Sequence, residues 1–233
     1  MRAIPPGRSI LHYWAELTYL EAALLAEEET APFAAPVTTM LEEFDAITKR
    51  DLDTRRAIIQ AYARSSVADT NLDEALREVQ ANTLHLVRQD RSRKEYKTLF
   101  PAALTGLIRH ALARQVVVAH EFVERLGLSL FDAEFRKAQV TLLDPQIARG
   151  EAVLVERKEA ELGRVEARIE IETWKEEVNA VRMSVYAQLL TIAAKHKRKR
   201  AWAETFFPKN SNRGARGADE AEDDNDESEP GAE

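Results

Sequence analysis

The sequence has no cysteine and no long hydrophobic run. The absence of cysteine among 233 residues excludes disulfide frameworks, thiol catalysis and metal sites built on thiolates. No segment approaches the ~18 to 20 apolar residues that a membrane-spanning helix needs. Pro5, Pro6 and Glu16 interrupt the stretch where an export signal would have its apolar core. We therefore expect a cytoplasmic protein with no membrane insertion, and its richness in Ala, Arg, Glu and Leu is typical of bacterial sequences.

The common catalytic motifs are also missing. The sequence contains no G-x-G-x-x-G, no Walker A run, no G-x-S-x-G elbow and no H-E-x-x-H. A di-iron bundle needs Glu-x-x-His on two helices, and no histidine here has Glu three residues before it; His120 and Glu124 are the nearest to a ligand pair. We expect no enzymatic activity, no cofactor and no metal. A site made of two buried carboxylates stays open, because the sequence does not show burial.

Apolar residues recur at helical spacing along most of the chain. Stripes with steps of three and four residues predict amphipathic helices, and Trp14 falls on the predicted buried stripe of the first one. Asp69 and Asp144–Pro145 are helix-start signals, and Gly127 is a helix-end signal. The pattern predicts an all-α antiparallel bundle of five or six helices with a long C-terminal coiled-coil-like helix. The predicted helices cover residues 8–28, 37–65, 69–90, 102–126, 131–143 and 145–196, with a loop over 90–100.

The predicted C-terminal helix is longer than its neighbours and has heptad spacing. Val155, Leu162 and Ile169 are seven residues apart. Gly150 and Gly163 are its predicted weak points, since Gly destabilises a helix by ~1 kcal/mol relative to Ala. Because Trp is enriched at binding hot spots, we identify a candidate protein interface on this helix, with packing inside its own bundle as the alternative. The candidate interface residues are Trp174, Val178, Val181, Val185 and Leu189.

Charge is divided sharply near the end of the sequence. Residues 217–233 carry nine acidic residues and no basic one, whereas residues 192–216 carry eight Lys or Arg against a single acid, Glu204. The acidic stretch has no large apolar residue whose burial would offset its ordering entropy. We therefore predict one helical domain over residues 1–208, followed by a disordered linker and acidic tail over 209–233.

A basic run is the candidate nucleic-acid or anion site. Its cations would release counterions from phosphates, and the adjacent Trp would stack on an exposed base. The alternative is an ordinary helix C-terminus, where cations complement the helix dipole and the following aromatic segment folds back onto the bundle. The candidate residues are Lys195, Lys197, Arg198, Lys199, Arg200 and Trp202.

Two functional hypotheses follow from these patterns. The first is a non-enzymatic helical scaffold or adaptor that acts through self-association, as a homo-oligomer, or through a helix-mediated contact with a protein partner. The second is a nucleic-acid-associated protein that uses residues 195–200. In the second case the acidic tail would compete for the basic run, because a short tether gives a local concentration on the order of mM.

Overall fold

The computed structural model describes residues 1–208, which form helices and connecting turns with no strand. The predicted all-α helical fold is confirmed. The predicted linker and acidic tail at 209–233 lie outside the described residues. A 3-10 turn, Ala31–Phe33, lies between the first two α-helices. The α-helices are α1 (Ile10–Leu25), α2 (Ala35–Leu86), α3 (Lys94–Leu99), α4 (Leu104–Leu107), α5 (Leu112–Leu126), α6 (Ala133–Lys195) and α7 (Arg200–Glu204).

The described chain divides into two compact units. The first unit contains residues 1–53 and 165–208, and the second contains Thr54–Arg164. Helices α2 and α6 each contribute to both units. The single domain expected over residues 1–208 therefore stays a prediction, and each unit is described by its own core.

The first unit has a core built from α1, the start of α2 and the end of α6. Ser9 caps α1 by accepting a hydrogen bond from the His12 amide at 3.3 Å. The buried stripe of α1 is Tyr13, Leu17, Leu20 and Leu24, so Trp14, expected on that stripe, lies outside it. The α1 stripe packs in one cluster with Val37, Phe44, Trp174, Val178, Val185, Leu189, Phe206 and Phe207.

The second unit has a separate core. Its fully buried side chains come from α2, α5 and α6, and the short helices α3 and α4 add Leu99 and Leu104. At Gly150 the α5 and α6 backbones approach so closely that a methyl group there would lie 2.7 Å from Cγ2 of Val116. The central members of this cluster are Leu72, Leu76, Val79, Ala119, Phe122, Leu126, Leu143 and Ile147.

Two predicted helix breaks are wrong. Helix α2 continues through Asp69 because Ala68 and Leu72 are both buried in the core of the second unit, and this packing outweighs the capping signal. Helix α6 continues through Pro145, although proline removes a helical hydrogen bond at a cost of ~3 kcal/mol. Leu143 and Ile147, on either side of this proline, are buried in the same core.

The helices differ from the predicted boundaries at two further places and agree with them at Gly127. The predicted loop over 90–100 contains helix α3, and the helix expected from 102 begins at Leu112, after the separate turn of α4. Gly127 follows the last residue of α5, as predicted. Helix α6 passes through Gly150 and Gly163 without interruption.

Within residues 1–208, no helix combines the length and the apolar character needed to cross a bilayer.

Candidate functional site

The candidate basic run begins at the C-terminal end of α6 and extends into α7. Its neighbours are acidic residues of the turn after α1: His196 Nε2 lies 2.7 Å from Glu29 Oε1, and Arg198 Nη1 lies 3.3 Å from Glu27 Oε2. Lys195 Nζ lies 3.7 Å from the same oxygen of Glu29. Lys195 and Arg198 therefore pair with acids of their own unit, and the His196 ring contacts one of the same acids.

The remaining residues of the run divide into paired and unpaired ones. Arg200 donates from Nε to Glu204 and to the Tyr186 hydroxyl, both at 3.0 Å. Lys197 and Lys199 are exposed and form no ion pair within residues 1–208. The guanidinium of Arg198 lies 4.5 Å from the centre of the half-buried Trp202 ring. The free positive charge of this segment is thus smaller than its sequence indicates.

The aromatic residues after the run fold back onto the first unit. Phe206 and Phe207 are buried, and the Trp202 and Phe206 rings pack edge to face at 5.0 Å. Hydrogen bonding to His196 lowers the pKa of Glu29, and the nearby Lys195 and Arg198 act in the same direction. The geometry has the features of the helix-terminus alternative, in which cations meet carboxylates at the end of a helix.

The candidate interface on α6 lies in the core of the first unit. Trp174 is 2% exposed and donates from Nε1 to the Met40 carbonyl at 3.3 Å. Its ring packs against Phe44 and Tyr13, with centroids 5.8 and 6.3 Å away. Val178, Val185 and Leu189 are fully buried, and Val181 is partly buried against the same cluster. All five residues pack within their own bundle, and their role in a protein interface stays a prediction.

A different face of α6 carries exposed apolar residues. Val155 and Leu162, in the second unit, are 57% and 56% exposed, and they recur at the heptad spacing noted in the sequence. Ile59 of α2, in the same unit, is also exposed. The contacts between α2 and α6 here include polar ones: Arg64 pairs with Glu156 at 2.8 Å, and the Arg157 guanidinium lies over the Tyr62 ring. We call Val155 and Leu162 the α6 outer face.

A buried ion pair lies beside a cleft of the first unit. Arg182 donates from Nη2 to Glu16 at 2.6 Å, and both side chains are almost fully buried. Burial lowers the pKa of Arg182, and the charge of Glu16 opposes that shift. The cleft has a volume of about 240 Å³ and is also lined by His12, Glu204 and Phe207. Within residues 1–208, Glu16 is the one buried carboxylate, so two buried carboxylates do not meet there.

Residues 4–6 are bound to the first unit by side chains of α1 and α6, a contact that the sequence analysis missed. The Asn179 amide accepts from the Ile4 N–H at 2.8 Å and donates to the Ile4 carbonyl at 3.0 Å. The Tyr13 hydroxyl and the Lys175 ammonium donate to the carbonyls of Pro5 and Pro6, each at 3.1 Å. No motif indicates this contact, because the side chains hydrogen-bond to backbone N–H and C=O groups, which nearly every sequence could supply at these positions.

Of the pair His120 and Glu124 considered from the sequence, the histidine contacts a different acid. Its Nε2 lies 2.8 Å from Oε1 of Glu151 of α6. Within the described part of the chain, no group of three His, Asp or Glu is arranged to hold a metal ion.

The class of protein that these observations define is an all-α helical protein with two cores and exposed apolar helix faces. Comparisons with protein families, curated proteins and solved structures find no match to this chain.

Proposed function

We propose that the protein is a non-enzymatic helical scaffold that acts through self-association or through a helix-mediated contact with a protein partner. The observation that carries the proposal is the α6 outer face. Two large apolar side chains at heptad spacing, Val155 and Leu162, remain more than half exposed. Heptad-spaced apolar residues on an exposed helix form the seam that a second helix covers in a coiled coil. Leaving them in water forgoes ~25 cal/mol per Å² of burial.

The first test compares the α6 outer face with a matched surface position. Val155→Glu combined with Leu162→Glu places two charges at the seam, so we expect loss of the contact made there, whether with a second copy or with a partner retained from the native host. Arg149→Glu produces the same change in net charge at an exposed residue of α6 outside the seam. That control should retain full association. Affinity capture followed by size exclusion measures both variants.

The proposal fails if two results are obtained together. One is a monodisperse 26.3 kDa monomer at high concentration. The other is that the wild-type protein and the Val155→Glu/Leu162→Glu variant retain the same set of host proteins.

Nucleic-acid binding is the second candidate, supported by the exposed Lys197 and Lys199, which form no ion pair within residues 1–208. Binding through these residues would be sensitive to salt, since each phosphate contact releases condensed counterions. It would also increase when residues 217–233, with their nine acids, are removed. Fluorescence anisotropy with labelled single-stranded and duplex DNA at low salt tests it, and no binding by the truncated protein excludes it.

A further inference from the structure

The exposed side of α1 is a continuous uncharged surface, which we call the α1 outer face. Apart from the adjacent pair Trp14 and Ala15, its residues follow one another at steps of three and four, so they lie along one side of the helix. Leu11, Trp14 and Leu25 are 57%, 41% and 59% exposed. The whole set is Leu11, Trp14, Ala15, Thr18, Ala22 and Leu25, and all six are exposed.

The two acids of α1 are not members of this surface. Glu16 is buried and paired with Arg182. Glu21, at the edge of the face, accepts a hydrogen bond from the Thr38 hydroxyl of α2. An amphipathic surface helix normally has charged or polar residues opposite its buried stripe, whereas α1 has Leu, Trp and Ala there.

The hydroxyl groups on and beside the face already donate hydrogen bonds within the chain. The Thr18 hydroxyl donates to the Trp14 carbonyl of the same helix at 2.9 Å. The hydroxyl of Tyr19, next to the face, donates to the Thr205 carbonyl at 3.2 Å. Covering the α1 outer face therefore leaves these two hydroxyls paired, which removes the penalty of burying them without a partner.

We propose that the α1 outer face packs against the same face of a second copy, with the two helices antiparallel and Thr18 on the two-fold axis. In this register Leu11 lies opposite Leu25 of the second copy, and Trp14 lies opposite Ala22. The large Trp14 side chain thus lies opposite a small alanine, and the leucines lie opposite each other. The inference rests on the proposed function, and it names the surface and the partner for self-association.

A second copy fits this surface better than the chain's own tail does. Residues 209–233 contain no Leu, Ile, Val, Met, Phe, Tyr or Trp, so they offer no large apolar side chain to cover it. A face without charge meets its own copy without like-charge repulsion, and a self-complementary patch is what a two-fold interface requires. The Trp14 ring packs 6.0 Å from Phe44 of the core. It is therefore held in place before association, as hot-spot anchors are.

The absence of cysteine allows a direct test of the register. Helices pack with axes ~8–10 Å apart, and Cα atoms lie ~2.3 Å from each axis. The Cα atoms at the two-fold axis therefore come within ~3–5 Å, which overlaps the ~4.4–6.8 Å span of a disulfide. Under mild copper–phenanthroline oxidation we expect full-length Thr18→Cys to form a covalent dimer. Ser66→Cys, at an exposed residue of α2, is the matched control and should remain monomeric on a non-reducing gel.

A pair of charge variants tests the same register without covalent chemistry. In the antiparallel arrangement, Leu11→Glu combined with Leu25→Glu brings like charges together, and the dimer should be lost. Leu11→Lys combined with Leu25→Glu brings opposite charges together, and the dimer should persist. Both pairs replace the same exposed residues, so circular dichroism should show the same helix content in the two variants.

The outcomes separate this inference from the proposed function. A dimer that both charge variants retain, with no Thr18→Cys cross-link, overturns the α1 interface and leaves self-association through another surface. Loss of the dimer in both charge variants indicates a parallel contact and overturns the proposed register. A monomeric wild-type protein overturns the inference outright, and the proposed function then depends on the host-protein comparison at the α6 outer face.

Discussion

At the scale of single residues, the ion pairs differ in how far they are buried. Most ion pairs, such as Arg64 with Glu156, are exposed and therefore contribute ~0–1 kcal/mol each. The pair of Glu16 and Arg182 is different, since both side chains are almost fully removed from water. A buried pair contributes little net stability over an apolar replacement, but removing one partner leaves an uncompensated charge in the core.

The buried pair gives the first residue-scale prediction. Glu16→Gln leaves the Arg182 guanidinium without its carboxylate, so we expect a loss of ~3–5 kcal/mol in the free energy of unfolding. Arg64→Met, which breaks an exposed pair, should change it by less than ~1 kcal/mol.

Urea titration followed by tryptophan fluorescence suits the Glu16 variant, because Trp14, Trp174 and Trp202 all lie in the first unit. Arg64 is in the second unit, so far-UV circular dichroism should be used to follow the unfolding of the Arg64→Met variant. Equal losses in the two variants would show that the burial of the pair has no energetic consequence.

Asp69 gives a pH-dependent prediction. Burial raises its pKa, and the negative charge of Asp73, four residues on, acts in the same direction. At neutral pH the folded state therefore holds a charge that the unfolded state accommodates more easily, which destabilises the fold. As the pH falls, the folded state takes up the proton before the unfolded state does, and this penalty disappears.

Asp69→Asn should consequently stabilise the protein at pH 7. The gain should include the ~0.2–0.5 kcal/mol of a relieved i, i+4 like-charge pair. Thermal unfolding of both proteins between pH 7 and pH 4 measures it, and the difference between them should shrink towards pH 4. A constant or growing difference on acidification would contradict the assigned pKa shift.

At the scale of helices, α6 depends on packing to stay continuous. It passes through Pro145, Gly150 and Gly163, each of which weakens an isolated helix. The two glycines differ in their surroundings. A methyl group at Gly150 would meet Cγ2 of Val116 at 2.7 Å, whereas one at Gly163 would have Thr54 Cγ2 at 3.9 Å as its nearest neighbour.

This contrast predicts opposite effects of the same substitution. Gly163→Ala should stabilise the protein by ~1 kcal/mol through helix propensity. Gly150→Ala should destabilise it by ~1–3 kcal/mol, because the buried and β-branched Val116 cannot move aside freely. Far-UV circular dichroism during urea unfolding follows both variants. Stabilisation by both would show that α5 and α6 are not in close contact at Gly150.

The sequence predicts the existence of the helices better than their ends. Periodicity reports which residues face a core: Leu17, Leu20 and Leu24 of α1 recur at steps of three and four, and all three are buried. It does not report whether buried neighbours will hold a helix together across a local stop signal, as they do at Asp69 and Pro145. Trp14 shows the same limit, since its spacing fits a buried stripe that begins instead at Tyr13.

At the scale of the whole molecule, the functional residues were harder to predict than the fold. A basic run has the same sequence whether its cations meet phosphate or, as Arg198 does, a carboxylate of a distant turn. Similarly, the apolar residues of α6 around Trp174 are buried, whereas Val155 and Leu162 of the same helix are exposed. Only the tertiary arrangement distinguishes a stripe that forms a core from one that remains available to a partner.

The two exposed apolar faces lead to the central claim, that the protein associates through its helices. Each face lies within one unit: the α6 outer face in the second and the α1 outer face in the first. Exposed apolar groups that recur along one side of a helix are typical of surfaces that are covered in an assembly.

The most direct test is light scattering coupled to size exclusion on the full-length protein, with absorbance read at 260 and 280 nm across the peak. The account predicts a discrete mass of at least twice 26.3 kDa, with no excess absorbance at 260 nm at low salt. A monomer at every concentration would contradict self-association. A peak with excess absorbance at 260 nm that disappears at high salt would instead assign the function to Lys197 and Lys199.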